Sequence, residues 1–468
     1  MRETVLGIGT AALILGASQA AHAGMFNPET FTLENGMKVV VIPNRRAPVV
    51  SHWVWYNVGS ADSPLGQSGI AHFLEHLMFK GTDTIPPGEF SRRIARNGGN
   101  DNAFTSNDFT AYFQNIARDR LEMVMEMEAD RMTNLRLRDE DVLPERDVVL
   151  EERSQRVDND PGARLGEALD NAQFMHHPYR LPIIGWRHEM AQYDREKALA
   201  FYRDHYAPNN AVLIVAGDVD AAELRPLAER IYGSIPPRDL PPRTRVQEPP
   251  QEAARRVTLS DPRVRQPSMS RSYLAPSYSA GDTAQAYPLQ VLAEVLGGGG
   301  TSRLYRELVV NQQLAVGVGA FYRPTALDLS SFRVYATPRP GVDLEAVEAA
   351  VDAEIRKVLA EGVTEDEVAR ARKRMSAASV YARDSLGTAA RTLGTALTTG
   401  RTVEDVEAWP DRIRAVTAEQ VNAAAKAVLV AGHSVTGLLL PSAPSEGASA
   451  QPEGEAPQTP PIGDRDQS

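Results

Sequence analysis

His72, Glu75 and His76 are the residues of this 468-residue chain best suited by type and spacing to do chemistry. They stand in the run Gly69-Ile70-Ala71-His72-Phe73-Leu74-Glu75-His76-Leu77-Met78-Phe79. On a helix the two histidines, four residues apart, share a face, so both imidazoles can reach one metal ion. Glu75 is close enough to reach a water on that ion. The pattern H-x-x-E-H is the reverse of the better-known H-E-x-x-H and points to zinc-dependent peptide hydrolysis. The neighbours Ile70, Phe73, Leu74, Leu77 and Phe79 look like core, and a histidine among such residues is more often a packed core residue than a ligand. A tetrahedral zinc site separates the two readings, because it needs a third protein ligand and leaves the fourth position to water.

A second stretch offers carboxylates: Asp139-Glu140-Asp141-Val142-Leu143-Pro144-Glu145-Arg146-Asp147-Val148-Val149-Leu150-Glu151-Glu152-Arg153. Acids at its start, with Pro144 near it, suit a helix N-terminus. Val148, Val149 and Glu152 recur at helical spacing, and Glu145 and Glu152 fall two turns apart on one face. Taken alone, the run reads as a solvated helix face, which is the usual place of such a run of charges.

From about Phe31 to Leu440 the chain resembles the M16 (pitrilysin/insulinase) family of metallopeptidases, in the short-chain branch that includes mitochondrial processing peptidase and bacterial two-subunit peptidases. The resemblance is carried by Leu33-Glu34-Asn35-Gly36-Met37, by the His72–His76 motif, and by Gly98-Gly99-Asn100-Asp101-Asn102-Ala103-Phe104-Thr105. It continues through Val149-Leu150-Glu151-Glu152, His177-Pro178-Tyr179 and Tyr206-Ala207-Pro208-Asn209-Asn210-Ala211-Val212-Leu213. It implies a third ligand about 76 residues beyond the second histidine, which is Glu152 rather than its neighbour Glu151. It further implies one Zn2+ per chain on His72, His76 and Glu152, with Glu145 orienting a ligand and Glu75 as general base. Substrate is expected to lie extended beside Asn102-Ala103-Phe104-Thr105, adding a strand to a sheet edge. Read without the family, Gly98-Gly99-Asn100-Asp101 is a turn followed by a strand.

The chain departs from the family at one place. Many active members carry an Arg and a Tyr seven residues apart in the C-terminal half, where they contact substrate. In that register this sequence has Val309 and Val316, neither of which donates a hydrogen bond. Arg303 and Tyr305 are near but out of register. Just upstream, Gly297-Gly298-Gly299-Gly300 is expected to be a flexible turn, either a plain loop or part of the substrate path.

The elements that must position these residues fall into two halves. Pro236-Pro237-Arg238-Asp239-Leu240-Pro241-Pro242, extending to Pro249-Pro250, reads as an extended linker. Strands are expected at Lys38–Ile42 and Val212–Ala216 in the first half, and at Phe332–Ala336 and Ser434–Leu440 in the second. Helices are expected at Leu344–Ala360 and Glu365–Tyr381. The fold class is therefore α+β. The family implies two homologous domains, with mixed or antiparallel sheets packed by helices, and two chains facing each other as a clamshell. The helix bearing His72 would correspond to Tyr287–Leu296, which holds no ligands. The expected divisions are a signal peptide (1–23), a zinc-bearing catalytic domain (24–235), a Pro-rich linker (236–252), a second M16-like domain without zinc ligands (253–441) and a disordered tail (442–468).

The ends and the composition narrow the function. Arg2, the apolar run Val5–Ala17 and Ala21-His22-Ala23 have the form of a secretory signal cleaved after Ala23, with retention as an anchor the alternative that the short apolar run disfavours, so the protein is expected to be exported, to the periplasm. No other segment looks transmembrane. With no cysteine, neither a disulfide nor a Cys-ligated zinc is possible. A net charge of −11, with no P-loop and no basic stripe, argues against nucleic-acid binding. The expected function is that of a zinc endopeptidase acting on peptides or small unfolded polypeptides. It would be the H-x-x-E-H-bearing subunit of a heterodimer whose homologous partner lacks that motif and supplies the Arg/Tyr pair. The alternatives are a self-sufficient homodimer and a non-catalytic scaffold.

Overall fold

The computed structural model describes residues 24–442, so the expected signal segment and all of the expected tail but Ser442 lie outside the described residues. The first half builds six strands: β1 (Glu29–Thr32), β2 (Lys38–Pro43), β3 (Val49–Tyr56), β4 (Asn100–Thr105), β5 (Thr110–Ala117) and β6 (Ala211–Gly217). They form one sheet in the order β1-β2-β6-β3-β5-β4. The second half builds β7 (Arg255–Asp261), β8 (Ser268–Ala275), β9 (Ala315–Tyr322), β10 (Ser330–Pro338) and β11 (Ser434–Pro441), in the order β7-β11-β8-β10-β9.

The two sheets repeat one topology. In each, the last strand of the half inserts beside an early one and runs parallel to it: β6 along β2, β11 along β7. All the other pairings are antiparallel, β3 with β6 and β5, β8 with β11 and β10. β4 and β9 are the corresponding edge strands. The helix Ile70–Leu77 follows β3 as the helix Ala286–Gly297 follows β8, the correspondence expected from sequence.

Every residue of β6 is buried, because this sheet is covered on both faces. Leu213 and Val215 join one core with Val39, Val41, Val54 and the apolar face of the helix Ile70–Leu77. Val212, Ile214 and Ala216 join another with Val40, Trp53 and Trp55. The cover of that second core comes from the other half of the chain. The helix Leu386–Thr398 seats Ala389, Ala390, Leu393 and Ala396 there. Its Gly394 lies against Trp55, and a Cβ at that position would come within 2.0 Å of the indole. The exchange is reciprocal: the helix Pro161–Gln173, capped by Asp160 through the Gly162 and Ala163 N–H groups, packs on β7 and β11. Segments 24–235 and 253–441 thus each form one sheet, and each also contributes a helix to the other's.

Residues 236–252 contain no helix or strand, in keeping with their prolines. They are nonetheless tied down. Arg243 reaches Asp62 at 2.9 Å, and Arg245 reaches Asp62 at 2.9 Å and Asp108 at 2.5 Å. Gly297 is more than a flexible turn: it ends the helix Ala286–Gly297 against β9, where a Cβ would meet Ala320 N at 1.8 Å. The glycine run is not among the residues around the cavity described below.

Candidate metal centre

The helix Ile70–Leu77 sends Ile70, Phe73, Leu74 and Leu77 into the core and leaves His72, Glu75 and His76 toward a cavity of about 1150 Å³. The second contributor is the helix Asp139–Arg153, which opens on three acids, as its dipole favours. Pro144 lies inside this helix rather than at its first position, and Val148 is exposed while Val142 and Val149 hold the helix down. Glu145 and Glu152 do share its inward face; Glu151 points to solvent and accepts from Gln155.

These two helices bring three donors together. The ligand atoms of His72, His76 and Glu152 all lie within 4.8 Å of one another. Glu152 Oε2 is 3.2 Å from His76 Nε2 and 3.7 Å from His72 Nε2. That oxygen is buried and has no hydrogen-bond partner among the described residues, and a buried polar atom left so is costly unless something else engages it. Two imidazoles and one carboxylate are the donor set of an open catalytic zinc site, so the residues fit the metal. His76 donates from Nδ1 to Glu145 Oε1 at 2.9 Å, which leaves its Nε2 lone pair free for a metal. Lys80 closes an ion pair on Glu145, and Arg156 holds Glu152 Oε1 at 2.6 Å. His72 Nδ1 is buried without a partner among the described residues.

The electrostatics follow from burial and from these pairs. Burial, with His76 beside it, lowers His72 to about 4, which keeps it neutral. Burial also works against protonation of His76, but Glu145 and Glu152 outweigh it and raise that group to about 9 in the metal-free protein. Glu75 is buried and pushed up to about 7, although the Thr105 hydroxyl donates to its Oε2 at 2.5 Å. Thr105 ends β4, the outer strand of the first sheet, so Asn102, Ala103, Phe104 and Thr105 all line the cavity beside Glu75. The Ala103 N–H is engaged by Asn102 Oδ1 at 2.8 Å.

Val309 and Val316 do not line this cavity. Val316 is exposed on β9, and Val309 packs against the second core. Arg303 is taken up by Glu367 at 2.6 Å, and Tyr305 packs on the same core. Lys80 and Arg156 are legible in the sequence: each stands four residues, about one helical turn, beyond a candidate donor, His76 and Glu152. Arg323 and Arg333, which also border the cavity, come from β10 and the turn before it and could not be placed there without the tertiary structure.

Comparison with known proteins identifies the family. Residues 38–186 match the model for Insulinase (Peptidase family M16), and residues 192–375 match the Peptidase M16 inactive domain. The junction falls ahead of β6, which lies in the middle of the first sheet, so the matched segments do not divide the chain where the sheets do. The zinc protease PqqE of Helicobacter pylori is 33% identical over 371 residues, 78% of this chain and 82% of that one. An uncharacterized zinc protease of Mycobacterium tuberculosis, Rv2782c, is 31% identical over 422 residues, 88% of this chain and 93% of that one. Among solved structures, a protease from Helicobacter pylori superposes with a TM-score of 0.83 at 29% identity, covering 88% of this chain and 99% of that one. The periplasmic protease PqqL from Escherichia coli shares the fold (TM-score 0.76, 20% identity); 88% of this chain corresponds to 47% of that one. The chain belongs to the M16 family of metallopeptidases. Within it, the relatives with which it aligns over most of their length are named zinc proteases.

Proposed function

We propose that this chain is a zinc-dependent endopeptidase and the zinc-bearing subunit of a two-chain enzyme. The observation that carries the reading is the convergence of His72, His76 and Glu152 beside the buried carboxyl of Glu75, at the end of an open sheet edge. One zinc ion per chain would be held by these three side chains, and when bound it supplies Lewis acidity and a water of lowered pKa. The other steps belong to the protein. Glu75, poised near neutrality, takes the proton of the attacking water and returns it to the leaving amine. Thr105 fixes Glu75 Oε2, which leaves the other oxygen to carry the proton. Glu145 and Arg156 hold His76 and Glu152 in orientation. A peptide pairing with β4 would replace the Asn102 contact on the Ala103 N–H and present its carbonyl beside Glu75.

The two-chain reading is supported by Val309 and Val316, which leave the second half without the family's donors, and by the fold shared with PqqL, a chain roughly twice as long. The Met1–Ala23 pattern supports export to the periplasm, which N-terminal sequencing from the native host decides. No helix of the described residues is long and apolar enough to cross a membrane.

The test is hydrolysis of unstructured peptides by the chain, with and without a homologous chain carrying the Arg/Tyr pair. Chelation should abolish activity and zinc should restore it. Glu75→Gln should keep its zinc while kcat falls about 10²–10⁴-fold. A Glu75→Gln protein retaining more than about a tenth of the rate would remove Glu75 from the role of general base.

A further inference from the structure

The wall of the cavity opposite the His72 helix comes from the second sheet. Ser331 and Arg333 are two apart on β10 and share one face, while Phe332 and Val334 between and beyond them point into the core. Arg323, in the turn after β9, bonds through its backbone N–H to Ser331 O at 3.4 Å and so stands across from Ser331 on the same side. Arg323, Ser331 and Arg333 all border the cavity. Further along the same face, Phe321 and Tyr335 are 46% and 45% exposed, with ring centroids 6.5 Å apart. Two guanidinium groups and a hydroxyl therefore adjoin an uncovered aromatic pair.

The charges of this cavity are almost all spoken for. Lys80 pairs with Glu145, Arg156 with Glu152, and Arg333 with Asp170. Glu167 pairs with Arg153, and Asp108 with Arg245. Among the described residues that border the cavity, Arg323 is the one Lys or Arg side chain without an acidic partner. Arg333 has a single one for its five donors, and its Nε is buried with no partner among the described residues. A bound zinc ion adds two further positive charges to the same space. Outside these pairs the lining leaves Glu75, which accepts from Thr105 beside the zinc donors, and Arg323 on the wall built by the second sheet.

We infer that Arg323, with Arg333 and Ser331, forms a subsite for a carboxylate of the substrate. It selects peptides that carry an Asp or Glu side chain, or a free C-terminal carboxylate, on the portion lying over the second sheet. A guanidinium pairs with a carboxylate through charge-assisted hydrogen bonds, which are stronger and more directional than neutral ones. The inference rests on the peptidase reading for its substrate class, but its core claim is one of binding and can be tested as such.

Zinc-loaded Glu75→Gln protein is titrated with fluorescently labelled decapeptides identical except for Glu or Gln at one of several positions, and with a free or amidated C-terminus. At least one carboxylate peptide should bind about tenfold tighter than its neutral counterpart, a preference that weakens as salt is raised. Adding Arg323→Ala should bring that ratio close to one, and Arg323→Lys should keep part of it. Arg323 is exposed, so the truncation does not threaten the core. Whether the Glu/Gln pair or the free/amidated pair shows the preference distinguishes an acidic side chain from a chain terminus. Equal binding of neutral and acidic peptides, no binding at all, or a preference that survives Arg323→Ala overturns the inference. Hydrolysis by the unmutated chain, run beside it with and without its partner, judges the peptidase reading separately. If no peptide is cut yet the carboxylate preference stands, only the peptidase reading fails.

Discussion

At the scale of single residues, the site depends on a few side chains held by others. His76 offers Nε2 as one of the three candidate metal donors and, through Nδ1, is linked to Glu145, which Lys80 in turn holds. His76→Ala should therefore reduce zinc from about one per chain to a trace, read by atomic spectroscopy on dialysed protein. Wild-type zinc content in that variant would sink the ligand assignment. Glu145→Ala should be milder. It leaves all three donors in place but frees the imidazole to rotate, and such partners typically contribute 10–100-fold to metal affinity. Competition against a chromophoric chelator measures it, and an unchanged affinity would make the Glu145 contact irrelevant to the metal.

At the scale of elements, the exchanged helices and their caps have the most to show. Gly394 sits in the interior of the helix Leu386–Thr398, where alanine would ordinarily gain about 1 kcal/mol of helix preference. Here the added methyl would meet Trp55 at 2.0 Å, and overpacking a close contact costs about 1–3 kcal/mol. The steric effect should win. Gly394→Ala is expected to lower the urea midpoint, with a change in tryptophan fluorescence from the disturbed Trp55, and a raised midpoint would contradict the packing described. A second element, the helix Glu365–Ala382, opens on a capping box formed by Thr364 and Glu367. Burial acts to raise the Glu367 pKa, but Arg303 and the Thr364 N–H and hydroxyl outweigh it and hold the carboxyl near about 2. A group depressed on folding stabilises above its unfolded pKa and loses that contribution as pH falls toward the folded value. The stability advantage of the native chain over Glu367→Gln should be full at pH 6 and shrink progressively between about pH 4.5 and about pH 2. Denaturant titrations at several pH values give the comparison; a constant difference would mean that the pair contributes no linkage.

At the scale of the whole molecule, the reciprocal helix exchange makes the two halves depend on each other. Residues 24–235 expressed alone would leave the Trp53 and Trp55 face of the first sheet without the helix Leu386–Thr398. The helix Pro161–Gln173 would likewise lose the surface of β7 and β11 on which it packs. That fragment should aggregate or bind a hydrophobic dye strongly, and co-expression with residues 236–442 should rescue it. A soluble, cooperatively unfolding fragment 24–235 would show that the exchange is dispensable. On the same scale, the chain alone should be a weak peptidase that a homologous partner activates, since Val309 and Val316 contribute no donor and lie away from the cavity. Equal turnover by the purified chain and by the mixture would replace the heterodimer with a self-sufficient homodimer.

Local rules sufficed for much of this protein. The helical spacing of His72, Glu75 and His76 follows from the residues themselves, because a helix repeats its face every three to four residues. The expected strand Ser434–Leu440 became Ser434–Pro441, and the expected helices Leu344–Ala360 and Glu365–Tyr381 became Leu344–Glu361 and Glu365–Ala382, because hydrophobic periodicity and caps act within a few residues. Glu152 is different. By its own residues it is one of several acids, and the family resemblance singles it out only by its distance along the chain; the packing of one helix across another puts its Oε2 3.2 Å from His76 while Glu151 faces water. The exchange of helices between the halves was also beyond local reading. An amphipathic helix records that it needs an apolar surface, not which of two similar sheets supplies it. Arg323 and Arg333 carry no local signal at all. They face His72, His76 and Glu152 only because the helix Ile70–Leu77 and β10, more than two hundred residues apart in sequence, border one cavity, and a charge left without a partner is a property of that enclosure, not of the residue.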